Sequence, residues 1–311
     1  ALDVAGSLEE GNYLAAYTDY GSRPSFGVAL YQYWTGYGYS GVPGYLEDFE
    51  QRLLRGMRTT WLHPISRFRR FEASLDVVHE KRYLYSCGNP EVTDPWDCDW
   101  DEQRSSAWYL RPEAAWVHDS ALWGPTGPLD GRRTRLSAYA TIGQRVSHGV
   151  ALDHRLYYNV SRWYAFALRG VFAGEWGQEN RKLIFGGPYT LRGFTDHPLY
   201  GEKIAFANLE FRFPFIEAFY LAWPLPIFLG GVRGALFCDV GAAWDDPEDL
   251  RAFRTSESSG DLLLEDLKAS VGLRASLNLG IFVLHWDLVR RTELTRWAGK
   301  ARGELSIGYD F

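Results

Sequence analysis

Four groups of residues in this chain have types and spacings that could do chemistry. His285 and Asp287 stand two apart, which places both on one face of a strand, and an imidazole beside a carboxylate is the core of many hydrolytic sites. The sequence places no Ser, Asn or second acid to complete such a site, so no catalytic residue is assigned and the reading is non-enzymatic, with a satisfied internal histidine. Asp97, Asp99 and Asp101 alternate in an acidic segment. Oxygen ligands at that spacing can hold calcium, but Glu102 stands where an EF-hand-like turn needs Gly, so a solvated acidic loop is preferred and no metal or cofactor is assigned. The same segment holds Cys87 and Cys98, far enough apart to close a small disulfide loop that would stabilise it by about 2–3 kcal/mol in the chain-entropy view. Cys238 lies alone in an apolar stretch. The fourth group is spread along the chain: Asp76, Asp153, Arg169, Asn208, Glu210, Arg212, Asp239, Arg274 and Glu304 each occupy the polar side of an alternating stretch.

Those charges need elements that turn every second residue the same way. In 302–311, Leu305, Ile307, Tyr309 and Phe311 alternate with Glu304, Ser306 and Asp310, a period-2 strand with one apolar and one polar face. The pattern recurs at 268–277 and 282–288, four residues apart, which is hairpin spacing. Continued toward the N-terminus it gives strands near 232–244, 203–213, 163–174, 150–159, 134–143, 106–118, 69–80, 55–62, 26–34, 13–20 and 2–8, fourteen in all. Short connections at 21–25, 63–68, 160–162 and 278–280 alternate with long ones at 35–54, 81–105, 175–202 and 245–266, while 119–133 and 144–149 break the trend. A soluble sandwich has no reason to gather long loops at one end, but an outer-membrane barrel has short periplasmic turns and long outer loops, and its wet lumen tolerates charges that lipid would not.

Composition agrees with this all-β, antiparallel transmembrane barrel. The 311 residues include 13 Trp, 19 Tyr and 18 Phe, and Trp34, Trp61, Trp116, Trp163, Trp244 and Trp297 fall near strand ends, where an interfacial girdle sits. No run approaches the roughly 18 apolar residues of a membrane helix. The uncharged stretch 218–232 comes nearest, broken by Pro224 and Pro226; it is expected at a periplasmic turn, packed on the inner-leaflet edge or on a partner. A net charge of −6 excludes a nucleic-acid footprint.

The string FGGPYTLRGF at 185–194, followed by GEKIAFANLEFRFP at 201–214 and RGALFCDVG at 233–241, resembles the BamA-like superfamily of outer-membrane assembly factors and two-partner-secretion transporters. More loosely, 17–31 looks like the barrels found C-terminal to TolB-type propeller domains. The resemblance implies that 175–202 is a reentrant outer loop whose tip is Leu191, Arg192, Gly193 and Phe194, with Arg192 meeting Glu210 and Asp239. It also gives Ile307, Tyr309 and Phe311 as a C-terminal strand signal. Family barrels have sixteen strands and carry periplasmic N-terminal domains, so a complete protein with fourteen or sixteen strands and an upstream domain missing from this chain is expected. The implied role is insertion or translocation of polypeptide at the bacterial outer membrane, with membrane lipid, a polypeptide substrate and periplasmic or outer-membrane subunits as partners. The alternatives are a membrane anchor within a larger envelope assembly and, third, a barrel hydrolase.

Overall fold

The computed structural model describes residues 2–3, 11–39, 48–87, 100–124, 126–161, 164–178, 182–196, 198–221, 227–246, 248, 250–256, 260–279 and 282–308. All the regular elements among them are strands. In chain order these are β1 (Leu2–Asp3), β2 (Asn12–Asp19), β3 (Ser25–Tyr39), β4 (Asp48–Pro64), β5 (Arg69–Cys87), β6 (Trp100–Asp119), β7 (Leu122–Gly124), β8 (Gly127–Gly143), β9 (Ser147–Ser161) and β10 (Tyr164–Gly177). They continue as β11 (Leu183–Phe185), β12 (Leu199–Gly201), β13 (Lys203–Leu221), β14 (Ile227–Trp244), β15 (Phe253–Thr255), β16 (Leu262–Leu264), β17 (Lys268–Asn278), β18 (Val283–Thr292) and β19 (Trp297–Gly308).

Hydrogen-bonded order follows chain order, β1-β2-β3-β4-β5-β6-β8-β9-β10-β13-β14-β17-β18-β19, with β7 beside β8, and the β11–β12 and β15–β16 pairs stand apart as two-stranded sheets. The chain falls into two compact units. One comprises 1–115, 138–148 and 177–179; the other comprises 116–137, 149–176 and 180–311. Within each, side chains are sorted opposite to a soluble protein. In the second unit, Asn208, Glu210, Arg212, Asp239, Arg274, His285 and Asp287 are buried, while Leu209, Leu236, Leu273, Trp286, Leu305 and Ile307 are exposed on the other face. In the first, Glu50, Arg52, Asp76 and Glu80 are buried and Leu14, Val28, Leu30, Trp108 and Leu110 are exposed. Period-2 alternation produces this on any strand; an apolar exterior of this extent suits lipid.

The fourteen chain-order strands correspond to those read from alternation, but the boundaries differ. The described parts of 35–54 and 81–105 are strand: β3 runs on to Tyr39, β4 starts at Asp48, β5 runs to Cys87 and β6 begins at Trp100. The expected connection at 119–133 is largely the start of β8 with β7 laid against it, and Ser120 N–H donates to Arg132 O at 2.9 Å across that reversal. The largest correction concerns 218–232. Instead of a turn, β13 continues to Leu221 and β14 starts at Ile227, paired from Ile216↔Val232 to Leu221↔Ile227 past a bulge at Pro214/Ile216. A ladder can run on through residues apolar on both sides, where alternation gives no sign of it. The segment 175–202 is trimmed by β10 at one end, and β11 and β12 lie within it.

Candidate functional site: a buried arginine cluster

The segment between β10 and β13 folds over the buried polar face of the second unit. β11 and β12 pair as its neck, from Leu183↔Gly201 to Phe185↔Leu199. Its tip is pinned by Gly187 N–H to Leu191 O at 2.9 Å, Thr190 N–H to Gly187 O at 3.1 Å and Gly186 N–H to Thr190 Oγ1 at 3.1 Å. Along β13 the buried face changes character, apolar at Ile204 and Phe206 and polar at Asn208, Glu210 and Arg212. The tip matches that order. Phe185, Leu191 and Phe194 pack with Ile204 and Phe206 as one apolar cluster, and the Phe185 and Phe206 rings stack at 5.4 Å. Arg192 then reaches the polar part.

There its guanidinium donates from Nε to Asp239 Oδ2 at 2.6 Å, from NH2 to Asp239 Oδ1 at 2.6 Å and from NH1 to Glu210 Oε1 at 2.5 Å, and its own backbone N–H donates to Asp239 Oδ2 at 3.2 Å. The pairing with Asp239 is the bidentate fork that favours Arg over Lys. The face of the guanidinium lies 3.6 Å from the centroid of the Phe237 ring. All three charged side chains are at most 1% exposed. Glu210 also accepts from Arg212 at 2.8 Å and lies 3.9 Å from Arg274, which in turn holds Asp287 at 2.7 and 2.8 Å. Arg192, Arg212 and Arg274 thus face Glu210, Asp239 and Asp287, a neutral set of buried charges in which each is paired, the condition under which burial of ions is tolerated.

Backbone carbonyls of the tip take up further wall donors. Arg274 NH2 donates to Pro188 O at 2.9 Å, Asn208 Nδ2 to Thr190 O at 2.6 Å and Arg169 NH1 to Tyr189 O at 2.8 Å. The Tyr189 hydroxyl donates to Ile307 O at 2.6 Å on β19, while the Ile307 side chain is itself exposed. Gly193 N–H donates to Glu304 Oε2 at 3.2 Å, and Arg291 and Arg302 both pair with Asp196. Gly193 has φ of +84°, and a Cβ there would lie 2.9 Å from Val289 Cγ2, so both backbone and packing call for glycine. Nearer the neck, Asp245 accepts from Lys182 and from Glu202 N–H, the latter at 2.9 Å. Burial pushes its carboxyl up, but the hydrogen bonds from Lys182 and Glu202 N–H, together with the charges of Lys182 and Lys203, outweigh this and hold it below the usual carboxylate range.

The structure therefore brings Leu191, Arg192, Gly193 and Phe194 together with Glu210 and Asp239. Reading the sequence missed Tyr189, Asp196 and Arg291, and it took Arg169 and Arg274 as plain wall charges. No periodicity marks a residue whose partner is a loop carbonyl; the Pro188-Tyr189-Thr190 run beside the LRGF string was the available signal. Cys98, Asp97, Asp99, Tyr309 and Phe311 lie outside the described residues, as does the side chain of Cys87, while Asp101 is exposed on β6. Cys238 is free, on the exposed face. His285 Nδ1 is 2.8 Å from Ser276 Oγ with both residues buried, while Asp287, two residues from His285, pairs with Arg274.

No sequence-family profile and no curated protein matches the chain. Solved structures do. BamA from Haemophilus ducreyi lacking POTRA domains 1–3 aligns over 96% of this chain and 62% of its own, with a TM-score of 0.64 at 17% identity. The fold is that of the BamA-like outer-membrane barrels. CdiB from Acinetobacter baumannii aligns over 96% of this chain and 49% of its own, with a TM-score of 0.54 at 12% identity. The chain thus spans less than two thirds of the length of either BamA-like structure.

Proposed function

We propose that this chain is the membrane-spanning barrel of a polypeptide insertion or translocation factor of the bacterial outer membrane, with 178–202 as a reentrant outer loop latched inside the barrel by Arg192. The observation that carries this reading is the bidentate Arg192–Asp239 pair with Glu210 beside it, delivered by a long segment onto the buried face. A static surface loop has no use for a fully buried guanidinium, because dehydrating it costs several kcal/mol that its partners must return. The BamA-like fold and the apolar exposed face support the membrane setting. Partners on this reading are membrane lipid and a polypeptide client, and an upstream periplasmic module belongs to the same proposal.

The test is reconstitution of the full chain in liposomes with an unfolded outer-membrane barrel as client. Insertion or translocation should be faster than in empty liposomes and should fall at least about tenfold for Arg192→Ala, which weakens the latch by several kcal/mol. No acceleration by the wild-type chain, with its heat-resistant fold intact, would leave the membrane-anchor reading in its place.

A further inference from the structure

The β13–β14 hairpin outruns its neighbours. On one side, β13 is paired with β10 only as far as Ala165↔Arg212, because β10 starts at Tyr164 after a reversal from β9. On the other, β14 is paired with β17 only from Val232↔Leu277 onward, because the chain turns back through Leu279 N–H to Phe282 O at 3.0 Å. Beyond those points, among the described residues, β13 pairs with β14 alone, from Ile216↔Val232 to Leu221↔Ile227, with Phe215 in the bulge. Residues 215–221 and 227–231 form a two-stranded ribbon about 23 Å long at the end of β13 and β14 opposite the Arg192 segment. Its sequence, FIEAFYL on one strand and IFLGG on the other, carries one charge, Glu217, and is apolar at both odd and even positions. Phe215 and Ile216, at its base, are 64% and 38% exposed.

Neither water nor lipid suits such a ribbon. Strand parity with apolar residues at both odd and even positions gives each face an apolar composition, and exposure to water would forgo about 1.5–3 kcal/mol of burial for each such residue. Hydrocarbon would cover the faces but leave the N–H and C=O groups along both outer edges without partners, at several kcal/mol each. An isolated two-stranded hairpin is marginal in any case. An added strand meets both needs, since its backbone completes the edge ladder and its alternate side chains cover one face.

We propose that the ribbon 215–221/227–231 is a docking edge for an extended polypeptide segment of a partner, apolar at alternate positions, which adds as a further strand along the outer edge of β13. The inference rests on the membrane-barrel reading, which puts this ribbon on the periplasmic side. It gives that barrel a recognition element for polypeptide remote from the Arg192 latch. The Pro214/Ile216 bulge suits the place, since a bulge bends a strand away from its former neighbour and opens the edge.

Amide hydrogen exchange on the full chain tests it in nanodiscs of phosphatidylethanolamine and phosphatidylglycerol, with a synthetic peptide of about ten residues alternating Val and Lys as probe. With the peptide at about ten times its Kd, amides in 215–221 should exchange about tenfold more slowly, and those in 203–212 should not change. A Ser/Lys peptide of equal charge should have no effect, and Ile216→Glu combined with Phe219→Lys should abolish the protection while 203–212 stay slow. Unchanged exchange in 215–221 would overturn the proposal. So would slow exchange in nanodiscs before any peptide is added, if it is lost in detergent, because lipid would then be the cover. Fast exchange throughout 203–212 would mean that the barrel itself does not form, and the reading beneath the proposal would fall with it.

Discussion

Each unit contains a cluster of buried charges, and the two are built differently. In the first unit Glu50 and Arg52 on β4 meet Glu80 and Arg82 on β5: Arg52 pairs with Glu50, Arg82 reaches Glu50 at 2.9 Å, and Glu80 lies 3.5 Å from Arg52 and 3.3 Å from Arg145. The Tyr109 hydroxyl on β6 adds a bond to Glu80 at 2.8 Å. All but Arg145, which sits in the turn after β8, come from adjacent strands of the wall. The second cluster is completed by Arg192, which arrives from a segment that is not part of the sheet and takes two carboxylates from two strands. Register between adjacent strands assembles most of the first, with Arg145 added from the turn after β8; the second exists only once a long connection has folded back. A wall cluster stiffens neighbouring strands, whereas a cluster closed from outside can be opened, which is why the proposed function rests on the second.

The sharpest way to break this contrast is Arg192→Ala. Asp239 would lose its side-chain partner in a buried site, and the loss should be about 3–5 kcal/mol, seen as a lower temperature for loss of the heat-resistant gel mobility. Segment 178–202 should become open to limited proteolysis at the same time. Arg192→Lys should recover only part of this, because a point charge cannot reproduce the fork. Glu80→Gln in the first cluster should cost less, about 1–3 kcal/mol, since the Tyr109 bond survives, and the proteolysis of 178–202 should stay as in wild type. Increased cleavage there in Glu80→Gln would show that the clusters are not independent.

Gly193→Ala should cost about 1–2 kcal/mol from its left-handed backbone, with a further steric penalty against Val289. Adding Val289→Ala should relieve the steric part and leave the backbone part, read as a partial recovery of heat resistance. The smallest effect concerns the neck. The carboxyl of Asp245 is held below the usual range in the folded chain, so its tether to Lys182 contributes above the unfolded-chain pKa of about 3.9 and is lost as pH falls through the folded value. Cleavage near 182 should therefore rise on acidification below pH 4 in wild type, and Asp245→Asn should show the raised rate already at neutral pH.

Much of the wall was legible because alternation is local. Glu210 and Asp239 could be put on the polar side of their strands from neighbours one and two residues away, and the same holds for Arg274 and Asp287. Strand ends were less legible: in 35–39, in 81–87 and in 216–221 the chain stays extended where the regular alternation fades, and ladder pairing with the partner strand decides the matter. The Arg192 pairing came from likeness of the LRGF string to a known family rather than from any periodicity. Tyr189 and Asp196 gave no such sign, because their partners, Ile307 O on β19 and Arg291 on β18, lie far along the chain.

By itself the sequence determined that this is an antiparallel all-β chain with one polar and one apolar face per strand, because side-chain direction in a strand depends on parity alone. Only the tertiary structure decided which charges neutralise one another, how deep Arg192 sits and where β13 and β14 leave the sheet. Those depend on strand register and on the return path of a long connection, and both are set by contacts between residues remote in the sequence.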